Sequence, residues 1–580
     1  MRTGRVELEK SPIPSDMLDR AETLTELLGT LARSFPDYAC LRLVRRDFSD
    51  EQLTVGAVWT RAREIQSALM RQGLRPGGFV VIVMPTGAEL VATYFGVMLA
   101  GGVPALAATP SHRLADPLTY VSRVGRIVQN AEAHALYGDN EAAGIFRAHA
   151  EALPSTTAIL TPADTVAAPL AEPVPARGDT IATAQYSSGS TGPPKGVLLT
   201  HRAILNNIRA LRRGLRLTTA DVSVNWIPLY HDMGLIDAFL LPLFSGCPTI
   251  LIPTMDFMRD PALWLWAIHR YRGAHAWAPN FAYTLCAKRI ADDDLAGLDL
   301  SSWRLAVSAA EPVLAPTVHA FSRRFAAYGF RPEAFTPVYG LAENVTAATA
   351  QAIDTPPRVE TIDRAELAAS QVARPTDGTG IEFVSTGRNL PGCTIEIRDE
   401  ARRVLPDRAV GAIWLQTDCL FSGYHRNREA TAASLVDGWL NTGDRGYLAG
   451  GELFFVSRDT DLINVGGEKY TPHDIETAIN AVLGVREGCA AVFGVLNEER
   501  GTEDLAAVVE TKEVDAAALE RLRHEIQAAV LRATGLGLRH VLLVPPGGVE
   551  KTTSGKLARR ATRSRYLERL GAEQPLEGES

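Results

Sequence analysis

"YSSGSTGPPKGVLLTHRAI", Tyr186 to Ile204, sets Ser187, Ser188, Gly189, Ser190, Thr191 and Gly192 ahead of Pro193, Pro194 and Lys195, and then turns apolar. Glycines let backbone N–H groups come close to a ligand, hydroxyls add donors, and a lysine adds a mobile positive charge. A polyphosphate is the guest that such a loop suits. The P-loop of nucleotide triphosphatases needs GxxxxGK followed by Ser or Thr, whereas Lys195 follows Pro194 and precedes Gly196. The GxSxG spacing of a hydrolase nucleophile elbow is absent as well. A plain flexible surface loop is the competing reading of the composition.

Outward from this loop, the chain narrows the chemistry. At 580 residues, 46% hydrophobic and 22% charged, it reads as a soluble globular protein with several packed subdomains. A net charge of −8 argues against a nucleic-acid partner, which clustered Lys and Arg would hold. The six cysteines, Cys40, Cys247, Cys286, Cys393, Cys419 and Cys489, form no CxxC pair. They suit reduced core thiols rather than a disulfide frame or a zinc site. The opening residues "MRTGRVELEKSPIPSDMLDR" carry charges throughout and no apolar leader segment, which predicts a cytoplasmic protein. "LIDAFLLPLFSGCPTILIP" (Leu235 to Pro253) is the most apolar stretch, but Asp237, Pro242, Gly246 and Pro248 interrupt it. It reads as helix, turn and buried strand, not as a membrane span.

Helical spacing and short apolar runs alternate along most of the chain. Leu24, Leu27, Leu28 and Leu31 share one helix face, and "ELVATYFGVMLAGGVPAL" repeats the pattern before a Gly-Gly break. "FVVIVMP" (Phe79 to Pro85), "AVSAAEPV" (Ala306 to Val313) and "AIWLQ" (Ala412 to Gln416) read as buried strands of an α/β region with covered sheets. The Ala/Pro-rich Pro162 to Asp179 is a connector to the strand before the opening motif. After about Thr460 the texture becomes a small α+β unit. It has helices marked by Ile475, Ile479 and Val482 and by Leu519, Leu522, Ile526 and Val530, and strands "CAAVFGV", "LAAVVET" and "HVLLV". A polar tail, "PPGGVEKTTSGKLARRATRSRY", follows, with glycines and hydroxyls that would be wasteful in a core.

Four further stretches accompany the loop in order: "VNWIPLYHDMGLIDAFLLPLFSGCP" (Val224 to Pro248), "LDLSSWRLAVSAAEPV" (Leu298 to Val313), "FRPEAFTPVYGLAENV" (Phe330 to Val345) and "VSRDTDLINVGGEKYTPHDIE" (Val456 to Glu476). With the loop they closely resemble the signatures of the adenylate-forming superfamily, and most of all its fatty acyl-AMP ligases, from about Leu24 to Arg560. The resemblance implies an α/β fold. A large N-terminal domain with multiple sheets and covering helices, residues 1–460, would be joined to a small mobile α+β domain, residues 461–580. It also implies an ATP-dependent enzyme that joins a medium- or long-chain fatty acid to AMP. That chemistry needs in-line attack of a carboxylate on the α-phosphate while pyrophosphate leaves, so cations and a metal must converge there.

Carried over residue by residue, the resemblance implies that Ser187 to Gly192 and Lys195 hold phosphates and that Glu343 binds Mg²⁺. Tyr339 and Gly340 would lie against adenine, with Ala309, Ala310 and Glu311 as part of the adenine wall. Asp444 would accept the ribose hydroxyls, and Arg458 would sit near them. His231 would stand where the carboxylate channel meets ATP, Asp461 would be the hinge, and Lys556 would enter the site for adenylation. Taken singly, His231 also reads as a histidine satisfied at a helix start, and each acidic residue as a solvated turn residue.

The detour from Ala350 to Glu400, including "VSTGRNLPG", resembles the insertion of fatty acyl-AMP ligases. It implies transfer of the acyl group to the phosphopantetheine thiol of an acyl carrier protein rather than to CoA. "GGEKYTP" (Gly466 to Pro472) is closer to acyl-CoA synthetases, which remain the alternative. Ala309, Ser457 and Thr460 depart from the family pattern, leaving room for a noncatalytic nucleotide- or acyl-binding relative. Against that stand Lys195, Glu343, Asp444, Arg458 and Lys556, all retained.

Overall fold

The computed structural model describes residues 4–110, 117–166, 171–186, 194–465, 468–497, 502–552 and 555–572. Ser187, Ser188, Gly189, Ser190, Thr191 and Gly192 of the opening loop lie outside the described residues, as does the pair Gly466 and Gly467. The strands on either side of the loop, Ile181–Tyr186 and Gly196–Thr200, pair antiparallel, so the loop connects the two strands of a hairpin.

Two sheets carry most of the large region. In one, Val103–Leu106, Phe79–Val83, Ala135–Gly138 and Ala158–Leu160 lie side by side, all parallel. Every residue of "FVVIV" (Phe79–Val83) is buried, as a strand covered on both faces requires. The other sheet has at its centre the parallel strands Phe335–Gly340, Leu305–Ser308, His275–Ala278, Ser223–Asn225, Thr249–Leu251 and Ala39–Val44, with antiparallel strands at both edges. Helices pack between and over these sheets. Leu24–Ser34 begins where the Thr23 hydroxyl accepts the Glu26 N–H at 3.1 Å, and it buries Leu24, Leu27, Leu28 and Leu31. The α/β architecture is as expected. The six cysteines are free thiols, and among the described residues no helix is long and apolar enough to cross a membrane.

The third sheet of the large region holds Cys393–Arg398, Gly411–Thr417, Trp439–Ala449 and Glu452–Arg458. The detour after Ala350 builds a hairpin, Val359–Ile362 with Ile381–Val384, around a short helix, Arg364–Ser370. Ile362, Leu367 and Phe383 from this insertion pack on Tyr447, Phe454 and Val456 of the third sheet. The helix of the insertion also touches strand Glu468–Tyr470.

Beyond that strand lies a compact α+β unit with its own core. Its sheet orders Val485–Asn497, Thr502–Thr511 and Leu538–Val544, covered by helices Pro472–Asn480 and Ala516–Thr534. The first helix stops at Asn480, short of Val482, which packs on the core from the following turn.

Two expectations need correction. The polar tail is not only a tail, because Arg559–Ala572 is a helix. Ala558, Thr562 and Tyr566 recur every fourth residue and are buried, which gives the helix one narrow packing face among its arginines. "AVSAAEPV" is a strand only through Ser308, and the chain then leaves the sheet, with Ala310 in the left-handed region at φ 71°. That departure opens the site.

Candidate active site

Ligands of parallel sheets collect at the carboxyl ends of the strands, where loops diverge. Here Ser223–Asn225 runs into Trp226 and His231, His275–Ala278 into Pro279, Leu305–Ser308 into Ala310 and Glu311, and Phe335–Gly340 into Glu343. These ends are held in register by polar bonds inside the sheet. Asn225 Oδ1 accepts the Trp277 N–H at 2.7 Å while its amide donates to Ser223 Oγ at 2.7 Å. Gly340 cannot be replaced without moving the backbone, because a Cβ there would lie 2.0 Å from the Thr346 carbonyl oxygen.

Tyr339, Asp444 and Arg458 come together. The buried Tyr339 hydroxyl donates to Asp444 Oδ2 at 2.8 Å, and Arg458 Nε lies 3.7 Å from Asp444 Oδ1. Asp444 and Arg458 face each other because strands Trp439–Ala449 and Glu452–Arg458 pair with these two residues opposed. Burial pushes the Asp444 carboxyl up to about 6, although Arg458 and the Tyr339 hydrogen bond both favour its ionised form.

A second group joins the hairpin of the opening loop to Glu343. The Tyr424 hydroxyl donates to Glu343 Oε1 at 2.7 Å, and Lys195 Nζ stands 5.1 Å from the centre of the Tyr424 ring. Tyr424 is brought there by strand Gly423–Tyr424, which pairs with Gly196–Thr200 immediately after Lys195.

The third group forms a cleft. Trp226, Ile227, Pro228, His231, Met233, Pro279, Ala310 and Lys556 line it, so the lysine from the last unit lies opposite residues of the large sheet. Lys556 is presented on a tight turn. Thr552 donates to the Lys556 carbonyl at 2.8 Å, Lys556 N–H donates back to Thr552 Oγ1 at 3.1 Å, and Lys551 bridges to Leu557. Burial lowers the Lys556 pKa, opposed by the carboxylates of Asp232, Glu311 and Asp444 and reinforced by Arg458. Glu311 accepts the Phe281 N–H at 2.5 Å, and burial raises its pKa.

His231 Nδ1 lies 2.5 Å from Asp232 Oδ1. Met233 N–H points at the same carboxylate oxygen at 2.8 Å and at His231 Nδ1 at 3.3 Å. The shorter contact takes the amide proton, so Nδ1–H donates to Asp232 and Nε2 remains for a ligand. His231 is thus bonded locally to Asp232 and also lines the cleft. The following segment, Met233–Leu240, is a π-helix, a wide form found often at functional sites.

The structure thus brings His231, Ala310 and Lys556 together on one cleft, sets the charges of Glu311, Asp444 and Arg458 within reach of that lysine, and joins Glu343 to Lys195 through Tyr424. Sequence reasoning missed Asp232, Trp226 and Tyr424. Asp232 had a signal, its position beside His231 in "YHDMG". Tyr424 had none, since only strand pairing sets it beside Lys195. Asp461, expected at the hinge, accepts from Arg559 Nη1 at 2.8 Å, and Arg559 also holds Glu476 at 2.7 Å. Ser457, at a departure from the family pattern, is buried with its hydroxyl unpaired among the described residues.

Residues 30–425 match the model of the family described as AMP-binding enzyme. The chain belongs to that family. It is 33% identical to a long-chain-fatty-acid–AMP ligase, FadD26, of Mycobacterium marinum, over 89% of this chain and 91% of the relative. It is likewise 33% identical to a putative acyl-CoA synthetase of Caulobacter vibrioides, over 86% of this chain and 87% of that protein. A solved structure from a study of fatty acyl-adenylate ligases of E. coli and L. pneumophila superposes with a TM-score of 0.89 at 30% identity, over 98% of this chain and all of that one. This AMP-binding enzyme is an ATP-dependent adenylating ligase.

Proposed function

We propose that this AMP-binding enzyme activates a medium- or long-chain fatty acid with ATP, releasing pyrophosphate, and passes the acyl group from acyl-AMP to the phosphopantetheine thiol of an acyl carrier protein. The observation that carries the reading is the lodging of Lys556 in the cleft with His231, next to Asp444 and Arg458. A carboxylate in that cleft meets an ammonium where negative charge must be held during attack on the α-phosphate. Residues 1–460 act as the nucleotide- and acyl-binding domain, and 461–580 as the domain that delivers the lysine.

In this reading Asp444 accepts the ribose hydroxyls beside Arg458, and Tyr339 and Gly340 with Ala310 and Glu311 border the adenine. Lys195 and the loop from Ser187 to Gly192 take the β- and γ-phosphates. Glu343 fits a magnesium ion, which keeps several waters and takes its remaining ligands from phosphates, so a single oriented carboxylate suffices. Tyr424 supplies the orientation by holding Oε1. Bound there, Mg²⁺ would neutralise phosphate charge. The apolar wall begins at Trp226, stacked on Phe257 at 3.8 Å between ring centres, with Phe281 edge-on at 6.1 Å. An alkyl chain gains about 0.8 kcal/mol per CH₂ buried on such a wall. The free thiols are compatible with work in the cytoplasm.

The second reading, acyl transfer to CoA, is favoured by "GGEK" and by the resemblance to the putative acyl-CoA synthetase. One assay separates the two: purified protein with ATP, Mg²⁺ and a panel of fatty acids, run alone, with CoA and with a phosphopantetheinylated carrier protein, and read by mass. Acyl-AMP that accumulates and leaves only to the carrier supports the first. Rapid acyl-CoA formation establishes the second, and absence of any acyl-AMP across the panel overturns both.

A further inference from the structure

Asp232 is not among the residues to which the family resemblance assigned a role, yet it contacts one residue of the cleft wall and acts on the charge of another. Its Oδ1 meets His231 Nδ1 at 2.5 Å and the Met233 N–H at 2.8 Å. It is also the cap of the π-helix Met233–Leu240, whose N-terminal amides favour an anion. His231 and Lys556 line the same cleft. The other acidic groups near Lys556 are already engaged: Glu311 by the Phe281 amide and Asp444 by the Tyr339 hydroxyl and Arg458.

We propose that Asp232 is a positioning residue, which fixes His231 on one wall of the cleft and attracts the Lys556 ammonium to the other, leaving the space between them for the substrate carboxylate. The inference rests on the assignment of Lys556 to the adenylation step. The attraction acts through space, since Asp232 bonds to His231 and Met233 and not to the lysine. Among the anions that favour the charged lysine, Asp232 acts most strongly, ahead of Glu311 and Asp444. The effect is mutual: His231 first and Lys556 after it hold the Asp232 carboxyl below its usual range against the pull of burial. Two jobs follow. Asp232 favours the charged form of the ammonium against the pull of burial, and on substrate entry it stays with His231, so the incoming carboxylate becomes a further anion beside the lysine.

The test is the pH dependence of acid-dependent pyrophosphate release. The charged groups facing Lys556 are Asp232, Glu311, Asp444 and Arg458, with His231 across the cleft, while His473 and Lys551 act on Glu311. Asp232→Asn removes the strongest favourable anion. The lysine then loses its proton at lower pH, and the alkaline limb of kcat moves down by half a pH unit or more. We expect kcat near neutrality to fall at least tenfold, with KM for ATP changed less than threefold. A fall in kcat with the limb unmoved means a merely structural role and overturns the proposal. So does an unchanged kcat. Asp232→Glu keeps the charge but displaces it by one methylene, so the limb should stay while kcat drops at least fivefold. If Asp232→Asn fails to fold, an unchanged kcat in Asp232→Glu overturns the proposal by itself. Lys556→Ala, run alongside, separates the two levels: if adenylation survives its loss, the assignment of the lysine falls, whatever Asp232 does.

Discussion

Asp444 is asked to be a carboxylate in a place that resists charge. Burial lifts it to about 6 despite Arg458 and Tyr339. If Asp444 is the ribose acceptor, as proposed, its proton must leave before both oxygens can accept the hydroxyls, so nucleoside affinity should weaken as pH falls through about 6. With adenosine as the probe, whose charge is constant between pH 5 and 7, calorimetry should show binding about tenfold weaker at pH 5. Equal affinity at the two pH values would remove Asp444 as the ribose acceptor. Lys556→Ala should cost adenylation about 10²- to 10³-fold, the usual loss when a group holding developing charge is deleted, read as pyrophosphate release. At this scale the sequence could nominate a side chain only where it belongs to a contiguous motif, as with His231, Glu343 and Asp444. It was blind to Tyr424, which reaches Glu343 and Lys195 only through the pairing of strands far apart in the chain. Nor did it give any sign of the backbone irregularity in "SAAE", where Ala310 carries a positive φ.

Among elements, the last helix is the least legible and among the most connected. Its arginines and hydroxyls conceal a packing face only one residue wide per turn, at Ala558, Thr562 and Tyr566. Its first residue, Arg559, ties Asp461, the residue expected at the hinge, to Glu476 of helix Pro472–Asn480. Glu476 is fully enclosed. Burial alone would raise its pKa, but Arg559, followed by the more distant His473, brings it down to about 2. A depressed carboxyl stabilises the fold above its ordinary value of 4.5, and the contribution is lost as pH falls from there toward 2. That is worth about 3 kcal/mol, so acid should unfold the C-terminal unit before it affects the parallel sheets, as hydrogen exchange would reveal. Arg559→Ala leaves the buried Glu476 carboxylate with only the Val492 N–H and the more distant His473 and should destabilise the unit by about 3 kcal/mol in denaturant unfolding. By contrast, "FVVIV" and the Leu24 helix were readable at once, because a wholly buried strand and a one-sided helix write their burial into the order of residues.

Over the whole molecule, the insertion after Ala350 links two regions. It rests on the third sheet through Leu367 and Phe383, and its helix meets Glu468–Tyr470 of the C-terminal part. If this contact restrains rotation, loosening it should widen the choice of acceptor. Leu367→Ala removes a buried anchor worth about 2–5 kcal/mol and should raise acyl-CoA formation at least tenfold over the parent enzyme. An unchanged product spectrum would show that the insertion does not govern the acceptor. The presence of an insertion was visible in the sequence as added length, but its seat on Tyr447 and Phe454 was not, because those contacts join segments with no shared pattern.

The turn that carries Lys556 fills one side of the cleft, and its neighbours in the chain are pinned by Arg559 and by the bridge from Lys551 to Leu557. A lysine held so closely cannot share its berth with a visiting thiol. On the proposed function, therefore, the enzyme should keep time: the nucleotide reaction finishes and pyrophosphate departs before the acceptor is admitted. In steady state that sequence gives parallel lines when reciprocal rate is plotted against reciprocal ATP at several acceptor concentrations, the signature of a catalyst that works in turns.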